Sequence, residues 1–278
     1  MDADLKRIPT GVADFDSIIK GGMPTGSLVL LLGELGAGAT EFALTSAAKL
    51  SIVKERPQAM DYLMAGTNAQ RVFPNKIFYV TFTRPREDIL RDINLSFNPE
   101  YAEAFERNVE FKDFSSKYFR QSVVPRSWTS QGGSLFQTDE GTVLEGLVEF
   151  LEANAPGNMI ILDSLTDLVL NSKIEAGDLV ALLRGMQRIS KTWDGIIYMI
   201  LTKDVLEDRK QKVIMDCADG TLSFDWSKFH SSSKRQRYMH VEKFMSILPH
   251  LDKERIARFA TMVTAQYGLV VIDTERIV

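Results

Sequence analysis

The 278-residue chain holds a single cysteine, Cys217, and only three histidines. One cysteine leaves no internal disulfide to form, so the sequence suits a reducing compartment. His230, His240 and His250 stand ten residues apart with no local pair, which argues against the short ligand spacings of a zinc site. Long apolar runs are missing as well. The longest, 28–32 and 196–201, fall far short of the ~20 residues that cross a bilayer. The opening MDADLKRIPT is polar and has no apolar signal core. Nor is there an excess of positive charge: 33 lysines and arginines face 37 aspartates and glutamates, a formal net charge of −4. That balance argues against general affinity for nucleic acid or anionic membranes. A soluble, cytoplasmic protein is the expectation. No internal repeat or linker divides the sequence, so residues 1–278 read as one domain.

What is present is an alternation of short apolar runs with longer amphipathic stretches, the pattern of a parallel sheet covered by helices. SLVLLLG reads as a buried strand running into a glycine loop. TEFALTSAAKLSIVKE follows, with Phe42, Ala43, Ser46, Ala47 and Leu50 at helical spacing. KIFYVTF is a second strand, ending at residues 81–84. TVLEGLVEFLEANA places Leu144, Leu147, Val148 and Leu151 on one helical face, and MIILDS reads as a third strand after a turn at Gly157 and Asn158. GDLVALLRGMQRISKTWDG is the next helix, capped by Asp178 and stopped near Gly195, and IIYMILTKD is a fourth strand. GTLSFDW, RYMHVEKFM, ATMVTAQYG and LVVIDTERI predict a mainly antiparallel set with a turn at Gly268. The fold class is therefore α/β, a mostly parallel central sheet flanked by helices with antiparallel C-terminal strands. Residues 54–75 and 114–142 interrupt the pattern as insertions or surface loops: the first either lengthens the preceding helix or forms a surface excursion, and the second is polar, glycine-containing and aperiodic.

The glycine loop is GELGAGATEF, residues 33–42. A phosphate-binding loop reads G-x-x-x-x-G-K-[ST]. Gly33, Gly38 and Thr40 keep that spacing, while Ala39 takes the lysine position. Such a loop works because successive backbone N–H groups surround phosphate oxygens at a helix N-terminus. Gly33, Gly36 and Gly38 still supply that backbone. The lysine adds a mobile charge on the β- and γ-phosphates. Its loss is worth roughly 1.5–3 kcal/mol, about ten- to a hundredfold in affinity. Glu41 puts a carboxylate beside Thr40, which further disfavours a polyanion.

RIPTGVADFDSIIKGGMPTGSLVLLLG, YVTFTRP, IILDSLTDLV, ADGTLSF and VEKFM follow one another along the chain. Together they resemble the KaiC-like branch of the RecA superfamily. That family has a T-G-x-x-x-[LF]-D segment and a G-G-[GM]-x-x-G turn before the loop strand, then Y-V-S-F-E-E-P, a Walker B strand, an A-D-x-[VI] strand and V-x-K-x-R-G. The similarity covers most of residues 7–278 and implies a RecA-like P-loop NTPase fold with nucleotide at subunit interfaces. It also marks departures. Thr83 and Arg84 stand on the acidic pair that activates the attacking water, and neither acts as a general base near neutral pH. Lys243 keeps the lysine of the finger segment, but Met245 replaces its arginine and Ser246 its glycine. Only Thr40 and the Walker B acid Asp163, the two Mg²⁺-holding positions, survive as catalytic-type side chains.

Loss of phosphate charge, base and finger together implies a catalytically inactive pseudo-ATPase. It would act as a regulatory or scaffolding subunit with protein partners, by self-association or beside an active paralogue. No cofactor is required on this reading; ATP or ADP with Mg²⁺ would bind at reduced affinity. Arg84 leaves two possibilities open. It substitutes for the missing lysine, giving an ATP-binding sensor or a slow ATPase, or it pairs with Asp163 or Glu41 and fills the pocket. A buried carboxylate without metal or phosphate needs a partner, which favours the internal pair. Asp167 lies four residues beyond Asp163 but off the strand end. KRQR (234–237), with Trp226, Phe229 and Tyr238 near it, could touch nucleic acid, but a solvated hairpin suits the acidic chain better. Cys217 reads as a small core residue at a strand start. Trp128 is either a partner contact or folded back on the domain.

Overall fold

The computed structural model describes residues 6–64, 70–120, 122–129, 141–227, 235–245, 247–248 and 257–276. Strands β1 (Arg7–Ile8) and β2 (Met23–Pro24) pair antiparallel in a small ribbon. Nine more form one sheet: β3 (Ser27–Gly33), β4 (Ile77–Thr81), β5 (Val109–Asp113), β6 (Met159–Asp163), β7 (Ile196–Thr202), β8 (Gly220–Trp226), β9 (Arg237–Phe244), β10 (Ala257–Thr264) and β11 (Gly268–Arg276). Their order is β11-β10-β9-β8-β3-β7-β6-β4-β5. From β8 through β5 all pairs are parallel, whereas β8–β9, β9–β10 and β10–β11 are antiparallel. The expected fold class is the observed one.

Every residue of β3 is buried, as a central strand covered on both faces must be. Val29 and Leu31 face one core with Phe42, Ala43 and Ala47 of the helix Ala39–Glu55. Leu28, Leu30 and Leu32 face the other, with Leu147 and Leu151 of Val143–Asn154 and Leu179, Leu183 and Met186 of Ala176–Trp193. The helix Ala39–Glu55 is buried nearly all round because Pro99–Asn108 and β11 cover its outer side. Leu269 N–H donates to Thr45 Oγ1 at 2.9 Å, and Gly268 turns the chain at φ +68°, as expected of that glycine.

Several boundaries differ from the sequence reading. The helix Ala176–Trp193 has Glu175 at its N-cap, so Asp178 lies in the first turn and serves the helix dipole rather than the cap. It stops where Asp194 takes a left-handed φ of 55°; a Cβ on the following Gly195 would stand 2.3 Å from the Asn158 carbonyl oxygen. Val148 is 37 % exposed, and the buried face of Val143–Asn154 runs through Val143, Gly146, Leu147 and Leu151. The first long helix ends at Glu55 rather than extending, and a 3₁₀ turn (Pro57–Ala59) and a short helix (Met60–Leu63) follow. Segment 114–142 is not wholly aperiodic: Ser115–Phe119 and Arg126–Thr129 are helical, and Trp128 is 79 % exposed rather than folded back. Within that segment, residues 121 and 130–140 lie outside the described residues. Cys217 is buried as expected, but at the end of the helix Asp208–Cys217 rather than at a strand start.

Candidate functional site

The glycine loop leaves β3 at Gly33 and enters the helix Ala39–Glu55. Gly36 and Gly38 take φ of +70° and +124°, and a Cβ on Gly38 would press to 3.0 Å on Leu269 Cδ1. A Cβ on Gly33 would stand 2.8 Å from that of Ala39, so the loop closes on itself only with glycine there. Neighbouring strand ends hold it: Lys203 N–H donates to the Gly33 carbonyl at 2.8 Å, and Glu34 N–H to that of Phe224 at 2.9 Å. The first intrahelical bond runs from Phe42 N–H to the Gly38 carbonyl. The N–H groups of Ala39, Thr40 and Glu41 precede it and have no intrahelical acceptor. They form the cradle expected of an anion-binding loop. Ala39 itself is only 7 % exposed. Thr40 and Glu41 are half-buried, and among the described residues neither side chain makes a protein hydrogen bond.

Asp163 ends β6, level with Thr81 at the end of β4. Its carboxylate accepts the Tyr79 hydroxyl at 2.5 Å. Burial pushes the Asp163 carboxyl above its ordinary range, against the Tyr79 hydrogen bond and the Arg84 charge. The Tyr79 phenol is pushed well above its own, chiefly by burial and then by the Asp163 charge. Beyond Asp163, Ser164 and Asp167 form a reciprocal cap on the helix Leu165–Leu170. Thr83 Oγ1 donates to Asp167 Oδ2 at 3.4 Å.

The internal pair expected of Arg84 is not formed. Its guanidinium pairs with Asp92 of the helix Arg86–Ser96, while its backbone N–H donates to Thr81 Oγ1 at 3.1 Å. A half-exposed pair costs less desolvation than drawing a guanidinium onto the more enclosed Asp163 carboxylate. Tyr79 already satisfies Asp163. Arg84 still stabilises the Asp163 charge through space, but it contacts neither Asp163 nor Glu41.

Other cations near the strand ends are also committed. Lys203 Nζ pairs with Asp225 Oδ1 at 2.5 Å, and Asp225 Oδ2 meets His240 Nε2 at 3.3 Å. Lys243, the surviving lysine of the finger segment, donates to the carbonyls of Met215, Asp216 and Ala218 at 3.2, 3.0 and 2.7 Å. It therefore caps the end of the chain's own helix Asp208–Cys217. Met245 is 84 % exposed, and Ser246 lies outside the described residues.

The basic run read as a solvated hairpin proves to be part of the site, apart from Lys234, which lies outside the described residues. The guanidinium carbons of Arg235 and Arg237 stand 4.7 and 4.6 Å from the Trp226 ring centre. Arg237 Nε donates to the Gly36 carbonyl at 2.9 Å, and the Trp226 indole N–H to that of Leu35 at 3.0 Å. The residue types were visible in the sequence. What brings them to the loop is the pairing of Trp226 with Arg237 across β8 and β9.

No protein-family model matches this sequence, and no curated protein matches it. Solved structures do share its shape. A KaiC-like protein from the hyperthermophilic archaeon Pyrococcus horikoshii aligns over 97 % of this chain and 100 % of its own, with a TM-score of 0.63 and 18 % identity. The flagellar accessory protein FlaH of Methanocaldococcus jannaschii aligns over the same shares with the same score and identity. The likeness is one of fold, and it is the RecA-like fold that the motifs implied.

Proposed function

We propose that this chain is a catalytically inactive RecA/KaiC-like pseudo-ATPase acting as a regulatory or scaffolding subunit. The observation that carries the reading is the state of the strand ends. Ala39 is buried where a lysine would reach phosphate, and Arg84 is drawn aside by Asp92. Thr83, at a base position, donates its hydroxyl to Asp167. Catalysis of phosphoryl transfer is almost entirely positioning and charge stabilisation, so a site without mobile cation or base has little left to accelerate.

The backbone nevertheless fits phosphate, because the glycine conformations and the free N–H groups of Ala39, Thr40 and Glu41 are those of an anion cradle. A bound ATP or ADP would lie on that cradle, with its Mg²⁺ held by Thr40 and Asp163. On this reading the protein works in the cytoplasm and joins other protein subunits, either copies of itself or an active paralogue. A second reading, an ATP-binding sensor without hydrolysis, is favoured by Arg237, which is fastened to the loop at the Gly36 carbonyl. A colorimetric phosphate-release assay with Mg²⁺ and ATP tests the main reading. Release at the rate of buffer alone is expected; release that scales with protein and is lost in Asp163→Asn would overturn it.

A further inference from the structure

Arg235 and Arg237 share one indole, and two like charges held that close repel unless an anion offsets them. Among the described residues neither makes an ion pair with a carboxylate. The acid closest along the loop, Glu34, accepts the backbone N–H of Trp226 instead. Arg237 uses Nε on the Gly36 carbonyl, which leaves its two terminal nitrogens for a forked contact with an oxyanion. The same loop presents the N–H groups of Ala39, Thr40 and Glu41. One of the two cations is thus hydrogen-bonded to the loop that carries the cradle.

We propose that Arg235 and Arg237 supply the positive charge that Ala39 withdraws, so that stack and loop together bind the phosphate chain of a nucleoside di- or triphosphate. This rests on reading the loop as a phosphate cradle without turnover. It moves the substitute cation from Arg84, which Asp92 holds, to the start of β9. A guanidinium pinned by an indole and a carbonyl cannot follow a phosphoryl group in transit as a flexible lysine does. Its charge serves binding of the ground state, which raises affinity without raising rate.

Calorimetric titration with Mg²⁺-ATP, and separately with inorganic tripolyphosphate, tests this on the wild type, Arg237→Ala, Arg235→Glu and Arg84→Ala. Both ligands bind the wild type; Arg237→Ala and Arg235→Glu each weaken binding by about tenfold or more, and Arg84→Ala leaves it within about twofold. Arg237→Lys, which keeps the charge and loses the fork, falls between, and thermal melts without ligand show that each variant is folded. No binding by the wild type, binding indifferent to both stack variants, or binding lost only in Arg84→Ala would each overturn the proposal. So would arginine-dependent binding of a single-stranded oligonucleotide with none of tripolyphosphate. Phosphate release by the wild type would sink the pseudo-ATPase reading alone, because arginine dependence is judged from binding.

Discussion

Restoring the missing lysine separates binding from turnover. In Ala39→Lys the new side chain leaves the backbone at the first residue of the helix Ala39–Glu55, beside Gly33. Ala39 is 7 % exposed, so the stem starts in packed surroundings and the ammonium emerges toward the cradle. One charge-assisted hydrogen bond to phosphate is worth roughly 1.5–3 kcal/mol, or about ten- to a hundredfold in affinity. Glu41 in the same helical turn takes back part of that gain. Mg²⁺-ATP affinity measured by calorimetry should therefore rise about tenfold. Phosphate release should stay at background, because Thr83 and Arg84 still provide no base and Asp92 still holds the Arg84 guanidinium. Turnover appearing in Ala39→Lys alone would refute the reasoning, since it would mean that a base and a positioned water were present all along.

Four further outcomes concern the frame of the fold. Burial pushes the Asp16 carboxyl up to about 6 against hydrogen bonds from Thr10 and Gly11. Its charged form is penalised in the fold, so its contribution to stability is full below the unfolded value near 3.8 and is lost as pH rises through 6, by about 3 kcal/mol at most. Melting temperature followed between pH 4 and pH 7 should fall for this reason. Asp16→Asn should flatten that slope while lowering stability overall, because an amide cannot accept at both ends from the N–H groups of Thr10 and Gly11. Lys243→Met leaves three carbonyls without their donor and should destabilise by roughly 1–3 kcal/mol in urea titration, with no effect on ligand affinity. Gly268→Ala forces a left-handed residue and a Cβ 2.4 Å from Thr45 Oγ1, and roughly 1–3 kcal/mol of stability should go with it.

The central strands were legible because burial on both faces turns them into near-continuous apolar runs, as in SLVLLLG, MIILDS and IIYMIL. The loop was legible because its glycines answer a backbone demand that no other residue meets. The charged helices Arg86–Ser96 and Asp208–Cys217 escaped notice because each buries only a thin stripe, Ile89, Leu90 and Ile93 in the first and Gln211, Ile214 and Cys217 in the second. Overlooking the first helix also hid Asp92, and with it the true partner of Arg84. The meeting of Trp226, Arg235 and Arg237 with the loop depends on strand register and crosses about two hundred residues of sequence, beyond the reach of local spacing. Lys243 looked like a finger residue by motif, yet its ammonium is spent on three carbonyls about 25 residues away in the chain.

The most direct test of inactivity is a single-turnover experiment with protein in large excess over radiolabelled Mg²⁺-ATP, sampled over hours. The account predicts that the label stays in ATP and is lost only at the rate of spontaneous hydrolysis, whether or not the nucleotide is bound. First-order formation of ADP that follows the bound fraction, and disappears in Asp163→Asn, would contradict it.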